Sequence, residues 1–272
     1  MQITSSSPNF TSKKPLVKKA DDIVRHTNLQ YPAFSPNYAN NAWYSARFYT
    51  KSTNRKNEIF RSYLIPKLNE YRDEYDKTQE TDEFHLDIFR KTKEYKIANC
   101  DEKTWITMGA LAANGYTHFC KVVPMIRINV IDKRTGKIAY VSEEQYDHCA
   151  IATSMKDEGG HVKKSIIIDP YFNKAMTYNE AQDEYLALIP IWTINEAIEK
   201  TEKSIIEAEM KDCGILGKKM PIDFDIENYE FEPKVVLRKA KDSIHDTKDH
   251  NEAKEFGELV REEFPELLLE EF

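Results

Sequence analysis

Apolar positions along the chain change their period several times, and each change marks an element. Phe60, Leu64, Leu68, Tyr71 and Tyr75 recur at steps of four, four, three and four, which is one stripe of an α-helix. Pro66 falls inside that stripe and is expected to kink or restart the helix. A second helical run over residues 84–93 sets Phe84, Ile88 and Lys91 in register. From Asp101 to Ala113 the residues are good helix formers, with Trp105, Met108 and Ala112 on one side. Asn114-Gly115 then supplies a left-handed cap, so Cys100 is expected at or just before the start of this helix.

The pattern next turns to β. Residues 119–130 are rich in Val and Ile, and a turn at Asp132-Lys133-Arg134-Thr135-Gly136 leads into residues 137–141, a hairpin whose tight position belongs to Gly136. The run 148–152 reads as another strand, separated by Gly159-Gly160 from residues 162–168. Proline cannot donate to a ladder, so that last strand stops at Asp169-Pro170 and leaves Asp169 at its tip. Helical spacing returns from Thr193, where Thr193 and Glu196 fit a capping box and Ile194, Ala197, Ile198, Ile205 and Ala208 form the buried stripe. Beyond Cys213 come Gly214, Gly217, an acidic stretch and an amphipathic segment through Phe256, Leu259, Val260 and Phe264. Helices, then a helix feeding an antiparallel sheet, then helices describe an α+β protein.

A chain of 272 residues with 40% hydrophobic content can bury a sizeable core. It holds no apolar run near the roughly 18 residues that span a bilayer. The four cysteines form no CxxC pair, which suits free thiols in a reducing compartment. Residues 1–60 carry nine Lys and Arg against three Asp and Glu, within a net charge of −7. The acidic remainder would repel phosphate, so nucleic acid is not the expected partner. The polar, basic start has no apolar core of signal-peptide length; residues 1–25 read as a disordered leader recognised by a secretion or import apparatus, or else as a frayed terminus. The expected organisation is this leader, a helical region over 26–95, an α+β core over 96–190 and a C-terminal helical region over 191–272.

Candidate chemistry enters through one thiol. A cysteine attacks as its thiolate, and a free thiol with a pKa of about 8.5 is mostly protonated at neutral pH. Cys100 has a helix N-terminus by pattern, and His148, opening a strand from an Asp147-His148 step, is a base for it. Asp169 would accept a hydrogen bond from the imidazole and fix its tautomer. Cys120 and Cys149 lie in apolar β runs, where a cysteine is usually a small core residue, and Cys213 adjoins a glycine-rich loop. His26, His85, His245 and His250 have polar or helical surroundings, and His161 follows a double glycine.

Asn99-Cys100-x-Glu102 opening a helix that ends in Asn-Gly, Asp147-His148 leading an apolar strand, and Ile-Ile-Ile-Asp169-Pro170-Tyr171-Phe172 follow one another in this order. Together they resemble the papain-like and transglutaminase-like cysteine enzymes, most of all the deamidase-type effectors and toxin domains of bacterial pathogens. The resemblance covers residues 95–180. It implies a nucleophile-bearing helix packed on an antiparallel sheet, with Cys100 as nucleophile, His148 as general base and Asp169 as orienting acid. Two positions depart from the family pattern. Ala98 and Asp101 stand where glycines usually flank the cysteine, and Asp101 is expected to raise the thiol pKa. Glu94 stands where papain-type proteases place an oxyanion-hole Gln, so only the Cys100 backbone N–H is assigned as a donor.

The resemblance implies a cysteine-dependent hydrolase or acyl-transfer enzyme without metal or organic cofactor, deamidating glutamine in a host protein after secretion into a host cell, where it acts in the cytoplasm. Proteolysis and transglutamination use the same acyl-enzyme and remain open. A different class is also open, a non-catalytic interaction module using the Tyr-rich stretch 31–49 and the acidic C-terminal helices.

Overall fold

The computed structural model describes residues 14–33, 66–70, 72–73, 82–154, 165–212, 225–240 and 250–269. They form helices α1 (Lys14–Gln30), α2 (Asp82–Tyr95) and α3 (Cys100–Ala113), then strands β1 (His118–Asp132), β2 (Lys137–Gln145), β3 (Ala150–Ser154), β4 (Ile166–Asp169) and β5 (Lys174–Thr177). Helices α4 (Tyr178–Leu188) and α5 (Ile191–Asp212), strand β6 (Tyr229–Lys239) and helix α6 (His250–Glu263) complete the order. The strands make one six-stranded sheet in the order β2-β1-β3-β4-β5, with β6 also paired to β1; every pairing with a defined register is antiparallel. The α+β class expected from the sequence is what the fold shows. Two compact units divide the chain, residues 1–122, 149–178 and 239–272 in one and residues 123–148 and 179–238 in the other.

Helix α3 is the centre of the first unit. Ile106, Met108, Ala110, Leu111, Ala112 and Ala113 are all buried, so this helix is apolar nearly all round, as a helix enclosed by other elements must be. Small residues let its neighbours approach the backbone: a Cβ on Gly257 of α6 would lie 2.5 Å from the Ala112 carbonyl oxygen. Met108 and Ala112 join the same core as Ile151, Ile166 and Ile168 of the strands. Trp105 is partly buried against the same core and also meets α2, its ring 5.0 Å from His85. The C-terminus of α3 closes as a Schellman motif. Tyr116 N–H donates to the Leu111 carbonyl and Gly115 N–H to that of Ala112, with Gly115 at a φ of 85°. The Asn114 side chain then bonds the Leu267 carbonyl at 2.9 Å and accepts from Leu269 N–H at 3.0 Å.

The disordered leader expected over residues 1–25 is replaced, from Lys14 onward, by α1. Ala20, Ile23 and Val24 are fully buried. At about 1.5–3 kcal/mol for a buried Ile or Val side chain, that burial offsets the cost of ordering a basic helix. The lysines obscured this pattern because they occupy the solvent side of the same helix. In α2 the buried face is His85, Leu86, Ile88 and Phe89, whereas Lys91 pairs with Asp87 at 3.6 Å. Of the stripe from Phe60 to Tyr75, residues 66–70 and 72–73 are helical and Leu68 is buried; the other stripe positions, like Cys213 and the Gly159-Gly160 loop, lie outside the described residues.

In the second unit, Met125 to Asp132 of β1 pair with β2 in the expected hairpin, whose Gly136 has a φ of 65°. Ile126, Ile128 and Val130 alternate inward. Helix α5 joins β2 through Thr201 and Ser142, whose hydroxyls are 2.5 Å apart, and through Lys200 and Glu144 at 2.6 Å. This helix begins at Ile191, directly after Pro190, two residues before the expected capping box. Pro190 stands at the N-cap, its carbonyl accepting from the N–H groups of Thr193 at 2.9 Å and Ile194 at 3.3 Å. The C-terminal region is also not wholly helical. It contains β6, where Val235 and Leu237 are buried in alternation after Pro233, a residue that disguises a strand in sequence.

Candidate active site

Cys100 is the first residue of α3, and Asn99 is its N-cap. Glu102 reaches back to the Asn99 N–H at 2.8 Å, the return half of a capping box. Its carboxylate, 1% exposed, also accepts two bonds from Arg72 at 2.7 and 3.1 Å. The glutamate of the Asn-Cys-x-Glu string therefore fixes the turn that carries the thiol. Met and Leu further along give the helix its burial; Glu102 gives its first turn a defined position.

The thiol's neighbourhood was only half visible in the sequence. Cys149, expected as an inert core residue, brings its Sγ to 3.5 Å from Thr104 Oγ1 and 3.4 Å from Asp101 Oδ1. It is also in hydrogen-bond contact with Cys100, and that contact together with burial holds the Cys149 thiol well above its ordinary pKa. Asp101 does not act as a bare charge beside the thiols, because Lys121 forms an ion pair with it. Burial opposes ionisation of Asp101, yet the Lys121 charge and hydrogen bond, the Cys149 bond and the Arg72 charge hold its carboxyl below the usual range. Lys121 is likewise buried against its own charge, and the negative partners around it, Asp101 first, keep its pKa raised. The alarm raised by Asp101 in sequence is thus answered by a lysine in an otherwise apolar strand. That lysine, at a position where alternation expects another small or apolar residue, was the available signal.

Asp169 is the last residue of β4 and fully buried. Its Oδ1 accepts from the backbone N–H groups of Tyr171 at 2.9 Å and Phe172 at 3.0 Å, an Asx turn that locks the carboxylate at the strand tip. Lys103, one turn along α3 from Cys100, is close enough for the Asp169 charge to raise its pKa, while burial lowers it with the larger effect. Strands β3 and β4 pair Ile151 with Ile168 and Thr153 with Ile166. One step further, the same register sets Asp169 across from Ala150.

His148 belongs to the second unit, where it is buried and its ring stands edge-on to Tyr185 with centroids 5.7 Å apart. Its position has a structural cause. Val122 pairs with Ala150 and Met125 with Gln145, so two residues of β1 lie opposite four, Tyr146 to Cys149. Pro124, lacking an N–H, accepts from Tyr146 at 2.9 Å, and the His148 N–H turns back to the Tyr146 carbonyl at 2.8 Å. Bulges of this kind re-aim side chains at functional sites. Cys120, the other described thiol, is only partly buried and not a full core residue as expected, and burial pushes its pKa up.

Among the described residues, no three of His, Cys, Asp and Glu gather as metal ligands. No described helix is long and apolar enough to cross a membrane. Comparisons of the chain with protein-family models, with curated proteins and with solved structures return no match.

Proposed function

We propose that the chain is a thiol-dependent acyl-transfer hydrolase of papain-like or transglutaminase-like type, with Cys100 as nucleophile, His148 as general base and Asp169 as the acid that orients it. The observation that carries this reading is the placement of Cys100 at the first position of a capped, buried helix, in contact with Cys149, the residue that directly follows His148. A helix start favours a thiolate. Asp169, held by two backbone N–H groups, supports it as a fixed acceptor for an imidazole.

The substrate class that fits the motif order is a protein glutamine. His148 would take the Cys100 proton, and the thiolate would attack the side-chain carboxamide carbon. The oxyanion would be met by the Cys100 backbone N–H. Protonation of the nitrogen by the imidazolium would release ammonia and leave a thioester, and a water deprotonated by His148 would then yield glutamate. An amine in place of that water gives transglutamination, and a backbone amide as substrate gives proteolysis. The proposed setting is a host cell into which the protein is secreted.

The test pairs wild type with Cys100→Ser on a glutamine-rich protein substrate, reading ammonia release and conversion of glutamine to glutamate by peptide mass. Wild type alone should turn over, with the variant's circular dichroism unchanged. Equal turnover by the serine variant would remove Cys100 as nucleophile.

A second reading has its own observation. In the second unit Ile138 is 57% exposed on β2, and Ile191 and Trp192 are 69% and 66% exposed at the start of α5. Apolar groups left so open suit a non-catalytic interaction module. Tyr31, counted in sequence with the binding stretch, does not serve that role, since it is buried against Phe89 and Phe264.

A further inference from the structure

Two thiols in contact have chemistry of their own. Thr104 lies one turn after Cys100 on the same face of α3, because residues four apart on a helix are neighbours. Cys149 Sγ touches Thr104 Oγ1 at 3.5 Å and Asp101 Oδ1 at 3.4 Å, so its sulfur is seated against the face that presents the Cys100 side chain. Both thiols are reduced in the structure. Cys149 is 3% exposed, while Cys100 is only partly covered, so a small oxidant meets Cys100 first.

We propose that Cys100 and Cys149 are a reversible peroxide-sensitive pair, Cys100 the thiol that is oxidised and Cys149 the thiol that resolves it into a disulfide. The co-reactant is a hydroperoxide. The Cys100 thiolate attacks its terminal oxygen, the O–O bond breaks, and the leaving alkoxide or hydroxide takes up a proton, giving a sulfenic acid at Cys100. Cys149 sulfur then attacks the Cys100 sulfur and the S–O bond breaks. Hydroxide departs as water with the proton that Cys149 shared with Asp101. Two thiols have lost two electrons and two protons, and the peroxide has been reduced. A dithiol reductant reverses the change by exchange.

The consequence for catalysis rests on the acyl-transfer reading above: the disulfide consumes the proposed nucleophile and spares it from irreversible oxidation. The pairing itself does not depend on that reading. The Cys100 contact and the burial that together hold the Cys149 thiol above its ordinary pKa also explain why it waits as a resolving thiol and does not react first.

The experiment treats the full chain with hydrogen peroxide and maps peptides without reduction, beside Cys149→Ser and Cys149→Ala. Wild type should yield a peptide joining Cys100 to Cys149, lose iodoacetamide labelling at Cys100, and regain it with dithiothreitol. The variants should accumulate sulfenic and then sulfinic acid at Cys100, with labelling no longer recovered. Joining of Cys100 to Cys120 or Cys213 in wild type, or wild-type progression to sulfinic acid at the variants' rate, would overturn the proposal. Since the wild-type map needs neither a substrate nor a folded variant, a chain that forms the disulfide but neither deamidates, cross-links nor cleaves a protein substrate would sink the acyl-transfer reading alone.

Discussion

Replacing Glu102 by Ala removes two supports from the turn that carries Cys100. The bond to the Asn99 N–H is half of a capping box, and loss of such a cap costs about 1 kcal/mol. The carboxylate is 1% exposed and accepts twice from Arg72, whose side chain is 34% exposed. Breaking a fully buried pair costs about 3–5 kcal/mol; with the arginine a third in water, about 2 kcal/mol is the appropriate share. The sum, about 3 kcal/mol, corresponds to a melting temperature lower by roughly 6–12 °C at about 2–4 °C per kcal/mol for a chain of this size. Glu102→Gln keeps an acceptor for Asn99 and should lose about half as much. Because the first turn frays before the rest of the helix, Cys100 should also react faster with iodoacetamide in the alanine variant, at temperatures well below its melt. Thermal denaturation followed by circular dichroism, with timed labelling at Cys100, measures both. A Glu102→Ala protein melting within about 1 °C of wild type, with unchanged labelling, would refute the role given to Glu102.

The Asp101 and Lys121 pair sets a pH signature. Asp101 has a folded pKa below its ordinary 3.8, so the stability it adds is present above that value and is lost as pH falls through the lower folded pKa; Lys121, raised above 10.5, adds stability that is present below 10.5 and fades as pH climbs past its folded pKa. Urea denaturation of wild type and Asp101→Asn should therefore differ at neutral pH and converge in strong acid, and a gap that widens on acidification would contradict the sign. Gly257→Ala should destabilise the first unit by about 2 kcal/mol, overpacking of up to about 3 kcal/mol against the Ala112 backbone exceeding the roughly 1 kcal/mol gained in helix propensity. A raised melting temperature in that variant would show that α6 can retreat without cost.

What the sequence revealed follows the range of the forces involved. The hairpin at Gly136, the cap at Asn114-Gly115 and the helix start at Cys100 are local, set by residues within a turn of one another, and each was readable. The partners of the site were not. Arg72 meets Glu102 across 30 positions, Lys121 meets Asp101 across 20, and Cys149 meets Thr104 across 45. Nothing in local periodicity encodes such meetings. Helix α1 was missed because lysines outweighed three buried apolar positions in the composition, and β6 because a proline stands within it. His148 is singled out by its neighbours in sequence, but the bulge that houses it is visible only once β1 has been paired on both sides of Pro124.

Both ends of α3 are fastened by chain that is far away in sequence, Arg72 at the start and, through Asn114, Leu267 and Leu269 at the finish. On a ribosome these segments appear at very different times. At about 5–20 residues per second, the chain that finally clasps α3 emerges on the order of 10 seconds after Cys100 has been made. Until then the helix lacks α6 and its C-terminal stitch, and the thiol on its first turn has no settled surroundings. A product truncated before residue 250 lacks α6 and both Asn114 contacts, so its Cys100 should react with iodoacetamide faster than that of the full chain.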